Sequence, residues 1–403
     1  MANLVSLPAE LLLDIVSHLT PSSLFSLALV HRKLSPIALE KPYQNPGIEQ
    51  PNDGHRLMCL VRTLLTKPGA LERVQTLSIA VVDRTIPFDK NSHWLDAQAC
   101  LKKMRPRLAS NVAAWEETLE VFETTGEDAA DTAEPYWCAD YCATRKRLVQ
   151  RLQASVPAIA YLNAALLNGL IVWSQSAYYA ALLALLPNLR SLTIATYDNS
   201  LQRPTETTSM LYSIPECLLL GGYRDTGALQ NLQHLEIVNG EVHRPWLYLP
   251  SLRSLTLGIR TDVLARPNVS VRPSAITKLD VSLDFGVLMH GSLDRQPEYF
   301  KDFLSAFKAL ADLKIHLGSW YGEGGFPAEW GRTPTGFDVL LEAIKVVRGT
   351  LETLDIEVDA RYENKLDGVA SMTRPTSADF PRLRTLYISE RWLLRSMPSW
   401  VVV

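Results

Sequence analysis

One short pattern limits most strongly how this 403-residue chain can fold: an apolar residue, two residues of any kind, Leu, one more residue, then Ile, Leu or Val, found eight times. The units are Val74-Leu77-Ile79, Leu189-Leu192-Ile194, Leu232-Leu235-Ile237, Leu252-Leu255-Leu257, Ile276-Leu279-Val281, Leu310-Leu313-Ile315, Leu351-Leu354-Ile356 and Leu383-Leu386-Ile388. In each, the last two apolar positions stand two apart, so an extended chain turns both to one side and the residues between and beside them to the other. A strand this short cannot bury an apolar side alone; stacking it against the next unit does. The lead-ins LPNLRSLTI, LPSLRSLTL and FPRLRTLYI repeat as well, while the middle leucines lie 20 to 115 residues apart, so the repeat is degenerate. Unrelated strands of an ordinary α/β domain imitate one or two such units, not eight.

The pattern resembles an irregular leucine-rich repeat. The resemblance implies an α/β solenoid with parallel strands on its concave side and helices and loops outside. The outward strand positions are Ser191, Thr193, His234, Glu236, Ser254, Thr256, Lys278, Asp280, Asp312, Lys314, Thr353, Asp355, Thr385 and Tyr387, with His316 and Glu357 one step on. Of these, Glu236, Thr256, Asp280, Lys314, Asp355 and Tyr387 are candidate substrate-facing residues. Five carboxylates against two lysines make the face acidic, which favours a basic substrate segment; plain solvation of a half-exposed sheet explains the same polarity. An insertion at about 318–337 holds 6 glycines and 5 aromatic residues. Trp320 and Trp330 in it are candidate substrate anchors, or rings folded back on the solenoid edge.

The first 40 residues read differently. Pro8 and Glu10 suit a first helical turn, and Leu11, Leu12, Ile15, Val16 and Leu19 share one face of a helix expected to end at Thr20. Thr20-Pro21 opens a second helix, apolar all round, and Ser35-Pro36 a third short one. Of the 37 residues from Leu4 to Glu40, 20 are hydrophobic and 5 charged, more apolar surface than a unit of this size buries within itself, so a partner is implied. Leu7-Pro8, Glu10-Leu11-Leu12, Ile15, Leu19, Leu24, Leu27, Val30, Arg32 and Ile37-Ala38 resemble an F-box, although His31 and Leu34 depart from its usual pattern. That resemblance implies an all-α three-helix module over residues 1–45 that docks on a Skp-family adaptor and through it on a cullin. Leu7, Pro8, Leu11, Ile15, Leu19, Leu24, Leu27 and Val30 would touch the adaptor or shape the docking face. Residues 46–403 are left to select a protein substrate.

Charge excludes one class: 40 Lys and Arg against 43 Asp and Glu give a net charge of −3, not the balance of a basic nucleic-acid binder. Five cysteines are too few for a disulfide scaffold and point to a reducing compartment, cytoplasmic or nuclear. The run 152–189 carries no charge and is long enough to cross a bilayer. Pro157, Asn163, Asn168, Ser174, Gln175 and Ser176 would need partners in lipid, which favours two buried helices, about 158–172 and 177–186. A longer insertion, about 90–157, holds an expected helix at about 108–124 and an acidic stretch from Glu116 to Glu134 between basic flanks that include Arg145, Lys146 and Arg147. It reads as a solvated segment.

Motifs for acyl transfer, phosphate cradling, zinc hydrolysis and dinucleotide binding are missing from the sequence. Cys138 and Cys142 lack the second pair of ligands that a closed zinc site needs. The expectation is therefore a non-catalytic substrate receptor of a cullin-RING ubiquitin ligase, with no cofactor. A scaffold that tethers the adaptor without ubiquitin transfer, an enzyme using a solenoid pocket and a membrane protein are the alternatives.

Overall fold

The computed structural model describes residues 4, 7–48, 54–67, 69–82, 137–155, 170, 175–197, 229–238, 244–258, 274–284, 296–318, 336–358 and 379–388. The expected helix at about 108–124, the expected helix at about 158–172 except for Leu170, and Trp320 and Trp330 lie outside them. Two compact units divide the chain within one strand: Met1–Leu192 with Tyr197–Asn231, and Thr193–Thr196 with Leu232–Val403.

Helices α1 (Ala9–Ser17), α2 (Pro21–Val30) and α3 (Leu34–Gln44) open the first unit. Their shared core is Leu12, Val16, Leu24, Leu34 and Ala38. α1 ends three residues before the expected Thr20, because the His18 and Leu19 N–H groups turn back to the carbonyls of Ile15 and Val16 at 3.2 Å, tightening the last turn. Thr20 caps α2 as expected, its Oγ1 accepting from the Ser23 N–H at 3.3 Å, with Pro21 in the first turn. The cap of α3 is His31 rather than Ser35. Its Nδ1 accepts the Lys33 N–H at 3.1 Å. Its carbonyl accepts from the N–H groups of Leu34 at 2.9 Å and Ser35 at 3.2 Å. An imidazole lone pair here satisfies a helix N–H usually left to Ser, Thr, Asn or Asp.

Then follow β1 (Gly47–Ile48), α4 (Gly54–Thr66), α5 (Ala70–Arg73), β2 (Thr76–Val82), α6 (Trp137–Ser155), α7 (Gln175–Ala184) and β3 (Ser191–Tyr197). α7 packs against β2, α4 and α6, burying Tyr178 and Tyr179, and matches the expected 177–186 helix to within two residues. The second unit continues with β4 (His234–Val238), β5 (Ser254–Gly258), β6 (Lys278–Asp284), α8 (Gln296–Ser305), β7 (Asp312–Gly318), α9 (Gly336–Ile344), β8 (Thr353–Val358) and β9 (Thr385–Ile388). No described helix is long and apolar enough to cross a membrane.

Each of the eight sequence units forms a strand, β2 to β9; only the two-residue β1 lacks the pattern. The nine strands make one parallel sheet whose order is the chain order. Register follows the repeat: Leu235, Leu255, Leu279, Leu313, Leu354 and Leu386 are successive partners across β4 to β9. Ile237, Leu257, Val281, Ile315, Ile356 and Ile388 form a second row in the same strands. Both rows are buried up to β8, whereas Leu386 on β9, the last strand of the order, is 40% exposed.

The beginnings of the strands are tied together by a repeated hydrogen-bond pattern. The carbonyl of Gln233 accepts from the Arg253 and Ser254 N–H groups at 2.9 and 3.0 Å, and the carbonyl of Arg253 from Thr277 and Lys278 at 2.9 and 3.0 Å. Thr277, Ala311 and Glu352 repeat it towards the next strand, at 2.8 to 3.1 Å. In the first unit Gln75 does the same for Arg190 and Ser191, at 2.7 and 3.0 Å. Two side chains reinforce that unit: Asn188 Nδ2 donates to the Glu72 carbonyl at 2.8 Å and Asn231 Nδ2 to the Pro187 carbonyl at 2.9 Å.

Two stability measurements follow. Leu313→Ala should lower the urea-unfolding free energy of the second unit by about 2–5 kcal/mol, the cost of a buried Leu truncated between packed neighbours. Leu386→Ala, on the half-covered last strand, should cost less than half as much, and equal losses would contradict the burial order. At α3, His31→Ala should cost about 1 kcal/mol and speed hydrogen exchange at the Lys33 amide, with His31→Asn restoring protection.

Candidate functional site

Two surfaces carry residues singled out by the sequence, one in each unit. In the helical module, α1 and α2 bury one side and leave apolar groups on the other. Leu29 is 89% exposed, Val30 73%, Leu11 51%, Leu13 44% and Ile15 38%. Of the nine large apolar side chains that are exposed among the described residues, six fall between Leu4 and Val30. The excess is therefore concentrated, not scattered as single surface leucines are.

The eight residues expected to dock or shape this face divide by position. Leu11, Ile15 and Val30 are open, Pro8 is exposed at the start of α1, and Leu7, Leu19 and Leu27 are half-buried. Leu24, 1% exposed, sits in the module's core, where it sets the packing of the helices beneath the face. Leu4, Leu13 and Leu29 are exposed as well and were not among the eight. The signal for Leu29 lay in the all-round apolar character of α2: its small core takes Leu24 and leaves the far side bare.

In the second unit the outward strand positions come into register as polar columns. His234, Ser254, Lys278, Asp312, Thr353 and Thr385 are successive partners in one column, and Glu236, Thr256, Asp280, Lys314, Asp355 and Tyr387 in the next. All twelve are half-buried or exposed. Thr193 Oγ1 donates to Glu236 Oε2 at 3.0 Å.

The densest charges lie on β6 to β8. Lys314 Nζ stands 3.7 Å from Asp355 Oδ2 and 3.4 Å from Glu357 Oε2. His316 Nε2 stands 3.2 Å from Asp280 Oδ1, and its Nδ1 3.1 Å from Glu357 Oε2. An imidazolium donates to both carboxylates, whereas a neutral ring donates to only one. Partial burial acts to lower the Lys314 pKa, but the hydrogen bond to Glu357 and the charges of Asp355, Glu357 and Asp280 outweigh it and hold the ammonium above its ordinary value. A raised folded-state value means that the pairing is complete at neutral pH and is lost only as pH climbs through the alkaline range. The network thus leaves more carboxylate than cation facing outward.

Among the described residues no group of three or more His, Cys, Asp or Glu is placed to hold a metal ion.

No curated protein matches this chain. A family model described as F-box-like matches residues 4–41, the span that covers α1, α2 and most of α3. The chain thus carries, at the position of its exposed apolar face, an F-box-like domain, the kind of module that suggests an adaptor-binding subunit of an SCF-type ligase with a Skp-type partner.

Proposed function

We propose that this protein is the substrate-recognition subunit of an SCF-type E3 ubiquitin ligase, docking a Skp-family adaptor through residues 4–41 and a target protein through the outward face of its repeat strands. The observation that carries the first half is the concentration of exposed Leu and Val on α1 and α2 within the F-box-like match. The second half rests on the columns of polar residues that the parallel register sets side by side, on a sheet we read as an irregular leucine-rich repeat. In this reading the protein has no active site. It raises the effective concentration of substrate lysines near a loaded conjugating enzyme held elsewhere on the cullin. The excess of carboxylates around Asp280, Asp355 and Glu357 favours a target segment rich in Lys and Arg.

Two separable experiments test the two halves. Replacing Leu29 and Val30 together by Asp should weaken co-purification with the adaptor about 100-fold or more, since each side chain contributes roughly 1.5–3 kcal/mol when buried; undiminished recovery would refute the docking face. Reversing Asp280 and Asp355 to Lys should remove the proteins captured in a substrate-trapping pull-down while leaving adaptor recovery intact. An unchanged set of captured proteins would exclude this part of the sheet as the recognition surface.

A further inference from the structure

A cleft in the first unit, lined by none of the residues of α1 to α3, combines features that the proposed function does not use. It is an open cleft of about 440 Å³ between the last turn of α4, the turn at Gly69, α5 and one side of α6. From α6 it takes Arg147, Gln150, Arg151 and Ala154, a set spaced i, i+3, i+4 and i+7 that forms one helical stripe. The opposite side of the same helix buries Leu148, Val149 and Leu152 in the core. The stripe is therefore fixed in orientation by packing behind it.

Arg147 and Arg151 stand one turn apart, a placement in which like charges repel. Lys67, at the end of α4, lines the same cleft, with Glu72 as the carboxylate among its described lining residues. Neither arginine has an ion-pair or hydrogen-bond partner among the described residues. Two exposed guanidinium forks one turn apart on the side of a cleft have the chemistry of an anion site, and planar forks match the oxygens of a phosphoryl group. Its volume exceeds that of the phosphoryl group alone, and the side chains of Leu64, Leu65, Leu71 and Ala154 supply apolar wall for whatever carries it.

We propose that this cleft binds a phosphomonoester dianion through Arg147, Arg151 and Lys67. The group can come from a phosphorylated protein side chain or from a small phosphorylated molecule, and the probes separate these sources. Purified full-length chain is titrated calorimetrically with inorganic phosphate, with O-phosphoserine and with a peptide library carrying a fixed central phosphoserine, each organic probe beside its unphosphorylated twin. The phosphorylated probes should bind and the twins should not. Arg147→Ala and Arg151→Ala should each weaken binding about tenfold, and Arg382→Ala, exposed in the other unit, should change nothing. Tighter binding of the peptides than of O-phosphoserine identifies a protein source, and equal binding a small-molecule source; both support the site. Absence of binding by every phosphorylated probe overturns the proposal, as does binding that survives both arginine substitutions in variants whose circular dichroism and unfolding match the parent. Adaptor co-purification, measured on the same variants, should be unaffected, so that failure here is distinguishable from failure of the docking face.

Discussion

Everything positioned on the sheet depends on one geometric coupling, the match between the two-residue alternation of a strand and the fixed backbone pattern at the strand's beginning. Each carbonyl that receives two successive N–H groups from the following unit locks that unit's first residues to its predecessor. Once those residues are placed, alternation sends Leu and Ile to the core and the intervening residues to the other side. A slip by one residue would expose both buried rows at once, at a cost set by several large aliphatic side chains per pair of strands. The polar columns are thus a by-product of core packing: Asp280, Lys314 and Asp355 face one another because Leu279, Leu313 and Leu354 must.

The helical module follows the opposite logic. Its core of five apolar side chains is small, and its second helix is apolar on every side, so burial of one face guarantees exposure of another. A module of this size gains little from its own interior. Its shape is held in part by the polar ends of its helices, at Thr20 and at His31. Apolar surface left over after such a fold is complete is surface available for association.

Much of this was legible in the sequence, and the limits are physical. The apolar spacing yielded eight strands and the side each residue faces, since a period of two leaves no freedom once one side is buried. The Thr20-Pro21 cap was readable because hydroxyl and ring act within the first turn. His31 was not, because histidine is rarely a cap and its role depends on which ring nitrogen holds a lone pair. The end of α1 was misplaced since Leu19 continues the apolar stripe although the backbone has already tightened at His18. β1 was invisible because two residues carry no period. Asn188 and Asn231 sit one residue before a repeat unit, yet nothing in their spacing tells that each amide reaches back to a carbonyl more than forty residues earlier. Arg147 read as part of a solvated basic flank; its neighbours across the cleft, on α4 and α5, are distant in the chain.

Because strand order is chain order, each strand exchanges hydrogen bonds only with the units just before and just after it in the chain. The connecting segments can lengthen or shorten without disturbing the register of the strands they join, since closing a longer loop adds only a slowly growing entropy cost. Strand formation from β4 onward can then spread like a zipper, one unit at a time, and it can also come undone that way. The end with the half-covered Leu386 is where such unzipping starts, making β9 the part of the sheet first open to proteolysis and the part most readily stabilised by anything that covers it.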